Sequence, residues 1–208
     1  MINATNDAQP RELIPAGNHV ARCYEMIHVG TNKEVIMGDE KILNKIRLTF
    51  ELPQELRVFN EEKGEQPMVI SKEYTLSMHE KSNLRKDLES WRGQGFTEDE
   101  AKSFDVTKLL GVPCLLNIIH KTSQKGSKYT YISNVTTLIK GMDCPKQVNE
   151  TFEFNFTDHF DSQVVEKFPD FIKDKIKTSS EYRHCIELLA NEHEDKVSQD
   201  LETDDLPF

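Results

Sequence analysis

Cysteine is scarce in this 208-residue chain: Cys23, Cys114, Cys144 and Cys185 are scattered with no close pair. That spacing offers neither a disulfide framework nor a CxxC redox or zinc motif, and a reduced cytoplasmic compartment is the expectation. Long apolar runs are missing too; nothing approaches the ~20 residues that a bilayer-spanning helix needs. Met1 to Pro10 is polar and lacks the apolar stretch of a secretory leader. Only 37% of residues are hydrophobic and 30% are charged, the balance of a soluble chain with one modest core. Catalytic signatures are lacking as well: there is no P-loop, no HExxH and no GxSxG. The seven histidines fall at no metal-ligand spacing, and a site built from Cys144, His159, His184 and Cys185 has only its residue types in its favour. The acids gather towards the C-terminus, whereas a metal nuclease needs them clustered on a rigid scaffold. No enzymatic activity, cofactor or metal is expected.

Basic charge is in deficit, with 26 Lys and Arg against 36 Asp and Glu and a net charge of -10. At face value this argues against a nucleic-acid partner. The location of the charge reverses that inference. Positions 1–143 hold 20 acids and 19 bases, whereas 144–208 hold 16 acids and 7 bases. Val106 to Met142 contains no acid and carries Lys108, Lys121, Lys125, Lys128 and Lys140. A nearly neutral body with basic patches, joined to an acidic tail, points towards nucleic acid. The plainer alternative is ordinary solvated charge with a solubilising tail.

Hydrophobic periodicity supplies the fold. Gly17 to Gly30 reads as a strand, with Val20, Arg22, Tyr24 and Met26 on one face and Ala21, Cys23 and Ile27 on the other. Residues 31–41 read as a loop around Gly38-Asp39. Leu43 to Leu52 alternates cleanly: Ile46, Leu48, Phe50 and Leu52 face one way, Lys45, Arg47, Thr49 and Glu51 the other. Pro53 is expected to end this strand and residues 54–67 to form a charged loop. Met68 to Met78 is a third strand. Leu84, Leu88 and Trp91 then make a helical stripe that Gly93 and Gly95 stop, and Thr97 with Glu100 forms a capping box for a short second helix. Asp105 caps one more turn before Gly111. Val112 to Lys121 and Tyr129 to Ile139 are the fourth and fifth strands, joined by a polar turn at Gly126. Three strands, a helix and two further strands is the connectivity of an OB-fold, a mainly-β five-stranded barrel with a helix between its third and fourth strands. This domain is assigned to residues 1–142. Residues 143–190 follow as a helical and aromatic extension with Phe152, Phe154 and Phe156 on one face of an edge strand. Residues 191–208 lack periodicity and are expected to be a disordered acidic tail.

The chain ends Asp204-Asp205-Leu206-Pro207-Phe208. Phe208 would fill an apolar pocket, for about 1.5–3 kcal/mol of burial, while its carboxylate and the two aspartates meet a basic rim. Pro207 lowers the cost of ordering the segment. This tip resembles that of bacterial single-stranded DNA-binding proteins, which typically end Asp-Asp-Ile-Pro-Phe. The stretch from Ile70 to Gly93, the segment Leu110-Gly111-Val112-Pro113-Cys114-Leu115-Leu116-Asn117-Ile118 and the run from Phe168 to Tyr182 are similar to blocks of phage-encoded replication-module proteins. Those are usually regarded as phage or prophage single-stranded DNA-binding proteins. The resemblance covers most of residues 12–182. It implies a protein that coats single-stranded DNA in a bacterial host during replication, repair or recombination, and that recruits partner enzymes through residues 204–208.

Binding without sequence preference requires cations for phosphates and aromatic faces for bases. In an OB-fold these come mainly from the second and third strands and the flanking loops. The candidates are Lys45 and Arg47, with Arg22 and Lys72 beside them; Tyr74 and Tyr24 as stacking faces; and Lys121, Lys125, Lys128 and Tyr129 on the hairpin of strands four and five. Each also has an ordinary explanation as wet sheet face or half-buried rim. A different class of function stays open: an OB-like adaptor that docks on host replication proteins through its tip and binds no DNA. No membrane partner is expected, and a homo-oligomer is compatible with either reading.

Overall fold

The computed structural model describes residues 12–157 and 160–202, with the backbone alone for 192–202. Its centre is a nearly closed antiparallel barrel of five strands: β1 (Gly17–Ile36), β2 (Asp39–Asn60), β3 (Gly64–Thr75), β4 (Pro113–Thr122) and β5 (Lys128–Thr136), in the order β3-β2-β1-β4-β5. This is a mainly-β architecture compatible with an OB-like barrel. β3 and β5 come side by side at the seam without forming a ladder. Between β3 and β4 lie α1 (Asn83–Arg92), α2 (Glu98–Ser103) and a 3₁₀ turn at Val106–Leu109. Ser82 caps α1, Gly93 ends it at φ 71°, and the Thr97–Glu100 capping box opens α2. Trp91 and Leu88 of α1 join Phe50, Leu48, Leu116 and Ile132 in the barrel core.

Three expectations change at the strands. The faces of β1 exchange at a bulge between Cys23 and Glu25, so Met26 enters the barrel core beside Ala21 and Cys23 while Ile27 points outwards. One extra residue is enough to invert a period-two pattern. Residues 31–41 are not a loop: β1 and β2 stay paired out to Ile36 and Asp39, and Met37-Gly38, both at positive φ, turn the chain. Pro53 does not end β2 either. It falls between the pairs Leu52–Met68 and Leu56–Pro67, in an irregularity where no ladder N–H is asked of it, and β2 continues to Asn60.

The outer face of β1 and β2 carries a second core. β6 (Phe152–Phe154) pairs in parallel with Glu25–Ile27, and α3 (Ser162–Glu166), α4 (Asp170–Thr178) and α5 (Ser180–Glu202) follow. Ile27 and Val29 are buried there against Phe154, Val165, Ile172 and Ile176. α5 continues to Glu202, past the Asn191 boundary from which disorder was expected. Six of the eleven residues 192–202 are Glu, Lys, Gln or Leu, all good helix formers that need no apolar stripe. The tip at residues 204–208 lies outside the described residues.

The extension is clamped to β1 at Gly30. The Glu181 carboxylate accepts from the Thr31 N–H at 2.7 Å and its hydroxyl at 2.6 Å. Gly30 has φ 87°, and a Cβ there would sit 2.6 Å from Ser179 Cβ. Gly30→Ala is expected to lower stability by at least ~2 kcal/mol, through backbone strain of about 1–3 kcal/mol and the displaced α4–α5 junction. A thermal melt within one degree of the parent would contradict this.

Candidate nucleic-acid interface

β3 presents a free edge to the seam, and a groove of about 640 Å³ lies along it. Lys45, Lys72 and Lys81 line it together with His79, Tyr131 and a row of Ser and Thr hydroxyls, and Glu73 is its one acid. Ser82-Asn83 at the N-terminal end of α1 and Tyr131 of β5 also line it.

The sequence candidates divide sharply within this frame. Tyr74 is only 4% exposed, with its hydroxyl donating to Asp87 Oδ2 at 2.7 Å. Burial, and then the neighbouring carboxylate, push its phenol well above the usual tyrosine range. Its ring belongs to the barrel core, so the expected stacking role is corrected: Lys72 and Tyr74 do share a face, but it is the inner face. Lys72 escapes by sending its ammonium out at the seam to the same Asp87 oxygen, at 2.6 Å. Arg22 is not free for phosphate, because its guanidinium donates to the carbonyls of Gly111 at 2.5 Å and Pro145 at 3.0 Å. Tyr24 is half-buried, and burial followed by Glu25 raises its phenol to about 12.

Lys45 and Arg47 do lie on the polar face of β2, but that face is occupied. Lys45 bridges Glu34 at 2.5 Å and Glu73 at 3.2 Å. Burial alone would lower its ammonium, yet these two carboxylates hold it above the usual lysine value. Glu73 also receives Lys175 of α4 at 2.8 Å. Burial works to raise the Glu73 carboxyl, and the hydrogen bonds from Lys175 and Lys45 outweigh it and bring it below the usual range. The Arg47 guanidinium sits 5.3 Å from the ring of Phe171, which is 57% exposed on α4. Thr49 and Glu51, next along the same face, are buried. The alternation of β2 leaves these residues open to solvent or phosphate, because it reports neither Glu34 and Glu73 on the neighbouring strands nor the cover from the distant extension.

The hairpin of β4 and β5 is different. Lys121 pairs across the ladder with Tyr129, and Ile119 with Tyr131, so all four share one face while Ile118 and Ile132 fill the core behind. Tyr129 is 42% exposed. The Lys121 ammonium lies 3.3 Å from the Tyr131 ring centroid, and Lys72 stands 5.9 Å from the same ring. Among the described residues, Lys121, Lys125 and Lys128 have no carboxylate within salt-bridge distance, and the last two are exposed beside the turn at Gly126. The sequence of this hairpin sets Tyr131 beside Tyr129 behind the three lysines, and the ladder places both rings on one face. Lys81 and His79 were missed, and nothing in their local pattern marks them.

No protein-family model matches the chain, and no curated protein is similar to it. Among the described residues no helix is long and apolar enough to cross a membrane, and no group of three or more His, Cys, Asp or Glu could hold a metal ion.

Proposed function

We propose that this protein binds single-stranded DNA without sequence preference, on an OB-like barrel whose working surface is the β4–β5 hairpin and the seam groove beside it. The observation that carries the reading is the shared face of Lys121, Tyr129 and Tyr131, flanked by Lys125 and Lys128 with no carboxylate at hand among the described residues. Aromatic faces stack on bases of any identity, and the lysines take up phosphates. The polar face of β2, neutralised and partly covered, has the lesser part. Residues 204–208 would dock replication, repair or recombination proteins, and the protein would act in phage or prophage DNA metabolism without making or breaking a bond.

Fluorescence anisotropy with labelled oligo-dT tests this. The triple variant Lys121/Lys125/Lys128→Gln is expected to lose most of its affinity at low salt and to flatten the dependence of log K on log salt by about 2, at ~0.7 per lost phosphate contact. Lys45→Gln should change affinity far less than the triple variant. A parent protein that ignores oligo-dT while residues 204–208 still capture a partner would favour the adaptor reading.

A further inference from the structure

We propose that Lys121 is an internal cap on Tyr131: in the free protein its ammonium occupies the ring face that a base takes in the complex, and the arriving strand displaces it onto the flanking phosphate. The inference rests on the single-stranded DNA reading and adds a step of regulation to the same site. The ammonium stands 3.3 Å from the ring centroid, close enough that no base could stack on that face while it remains. Among the described residues it has no carboxylate within 4.0 Å, so the ring is the group that holds it. The contact is a cation–π interaction, electrostatic and reversible. The lysine stem has four rotatable carbons, so the head swings clear without moving the ladder. Lys72, 5.9 Å from the same ring, is held instead by Asp87 at 2.6 Å.

Two opposed effects are therefore joined in one residue. Lys121 opposes stacking, since its contact with the ring is broken on binding, and it favours binding once it reaches a phosphate. Only the second effect depends steeply on salt, because it releases a condensed counterion. A lysine that only met phosphate would give a plot that converges with its variant's as salt rises and meets it only towards ~1 M, above the range titrated.

The test is a salt titration of oligo-dT affinity for the parent, Lys121→Gln, Lys125→Gln, Tyr131→Leu and the Lys121→Gln/Tyr131→Leu pair, each melted first to confirm folding. At about 50 mM salt Lys121→Gln should bind more weakly than the parent, with a log–log slope shallower by about 0.7. Near 0.5 M it should bind about twofold more tightly, as the uncapped ring gains what the cation–π contact held. Lys125→Gln should converge on the parent without crossing it, and in the Tyr131→Leu background the crossing should vanish. Plots for Lys121→Gln that never cross, or a crossing that survives Tyr131→Leu, overturn the cap and leave the DNA-binding reading intact. Failure of the parent to bind oligo-dT at any salt overturns both.

Discussion

Phe50→Ala is expected to cost about 3–5 kcal/mol of folding free energy, the range for truncating a buried aromatic. Phe50 is completely buried in the middle of β2, with its ring 5.7 Å from that of Trp91 at an angle of 51°. Trp91 in turn donates its indole N–H to the Pro113 carbonyl at 2.8 Å, at the start of β4. One ring therefore joins β2 to α1, and through the indole to the strand that follows the helical segment. Its loss leaves a cavity beside the indole that holds this hydrogen bond. Urea unfolding followed by tryptophan fluorescence measures the effect directly, since the chain has a single tryptophan. A midpoint shift equivalent to under ~1 kcal/mol would show that the core collapses around the void and that the Phe50–Trp91 contact is dispensable.

The second large effect lies one residue along. Glu51 is fully buried on the opposite face of β2, where its carboxylate accepts from the backbone N–H of Val148 at 3.0 Å, the N–H of Asn149 at 2.9 Å and the Asn149 side-chain amide at 2.8 Å. These bonds fasten the segment that leads from the barrel into β6. Glu51→Ala strips three donors of their shared acceptor, and at about 1.5–3 kcal/mol per bond to a charged group, discounted for water entering the gap, a loss of ~3 kcal/mol is expected. Glu51→Gln should lose less, because one carbonyl oxygen still accepts. Limited proteolysis between residues 142 and 150 should accelerate in the alanine variant well before global unfolding. Resistance equal to the parent's, together with a stability change under ~0.5 kcal/mol, would remove Glu51 from this role.

How far the sequence carried the reading depends on how local each signal was. Strand alternation over Ile46–Leu52, the Leu84–Trp91 stripe and the Thr97–Glu100 box are local, and the elements stand where those signals lie. The turn at Met37-Gly38 and the continuation of β2 past Pro53 were hidden because a hairpin arm with a charged, non-alternating sequence reads as a loop until its ladder is known. The polar residues of β2 were misjudged for another reason. Lys45, Arg47 and Glu51 look alike as half of an alternating pattern, yet one meets Glu34 and Glu73, one meets Phe171 and one is sealed under residues 148–149. Their partners are separated from them by between 11 and more than 100 positions, which no periodicity reports. The hairpin at Lys121–Tyr131 was legible because both of its strands, its turn and its charges fall within one short acid-free stretch.

β1 is the strand on which everything meets: it pairs with β2, β4 and β6, and among the described residues its outward Ile27 and Val29 pack in a cluster drawn from residues beyond 150. During synthesis, which runs from the N-terminus at about 5–20 residues per second, this has a definite price in time. The five barrel strands emerge by Thr136, while the groups that shelter Ile27 and Val29 are still inside or near the ribosome. For several seconds the nascent barrel has one apolar flank bare, until the segment from Phe152 to Ile176 emerges and closes it.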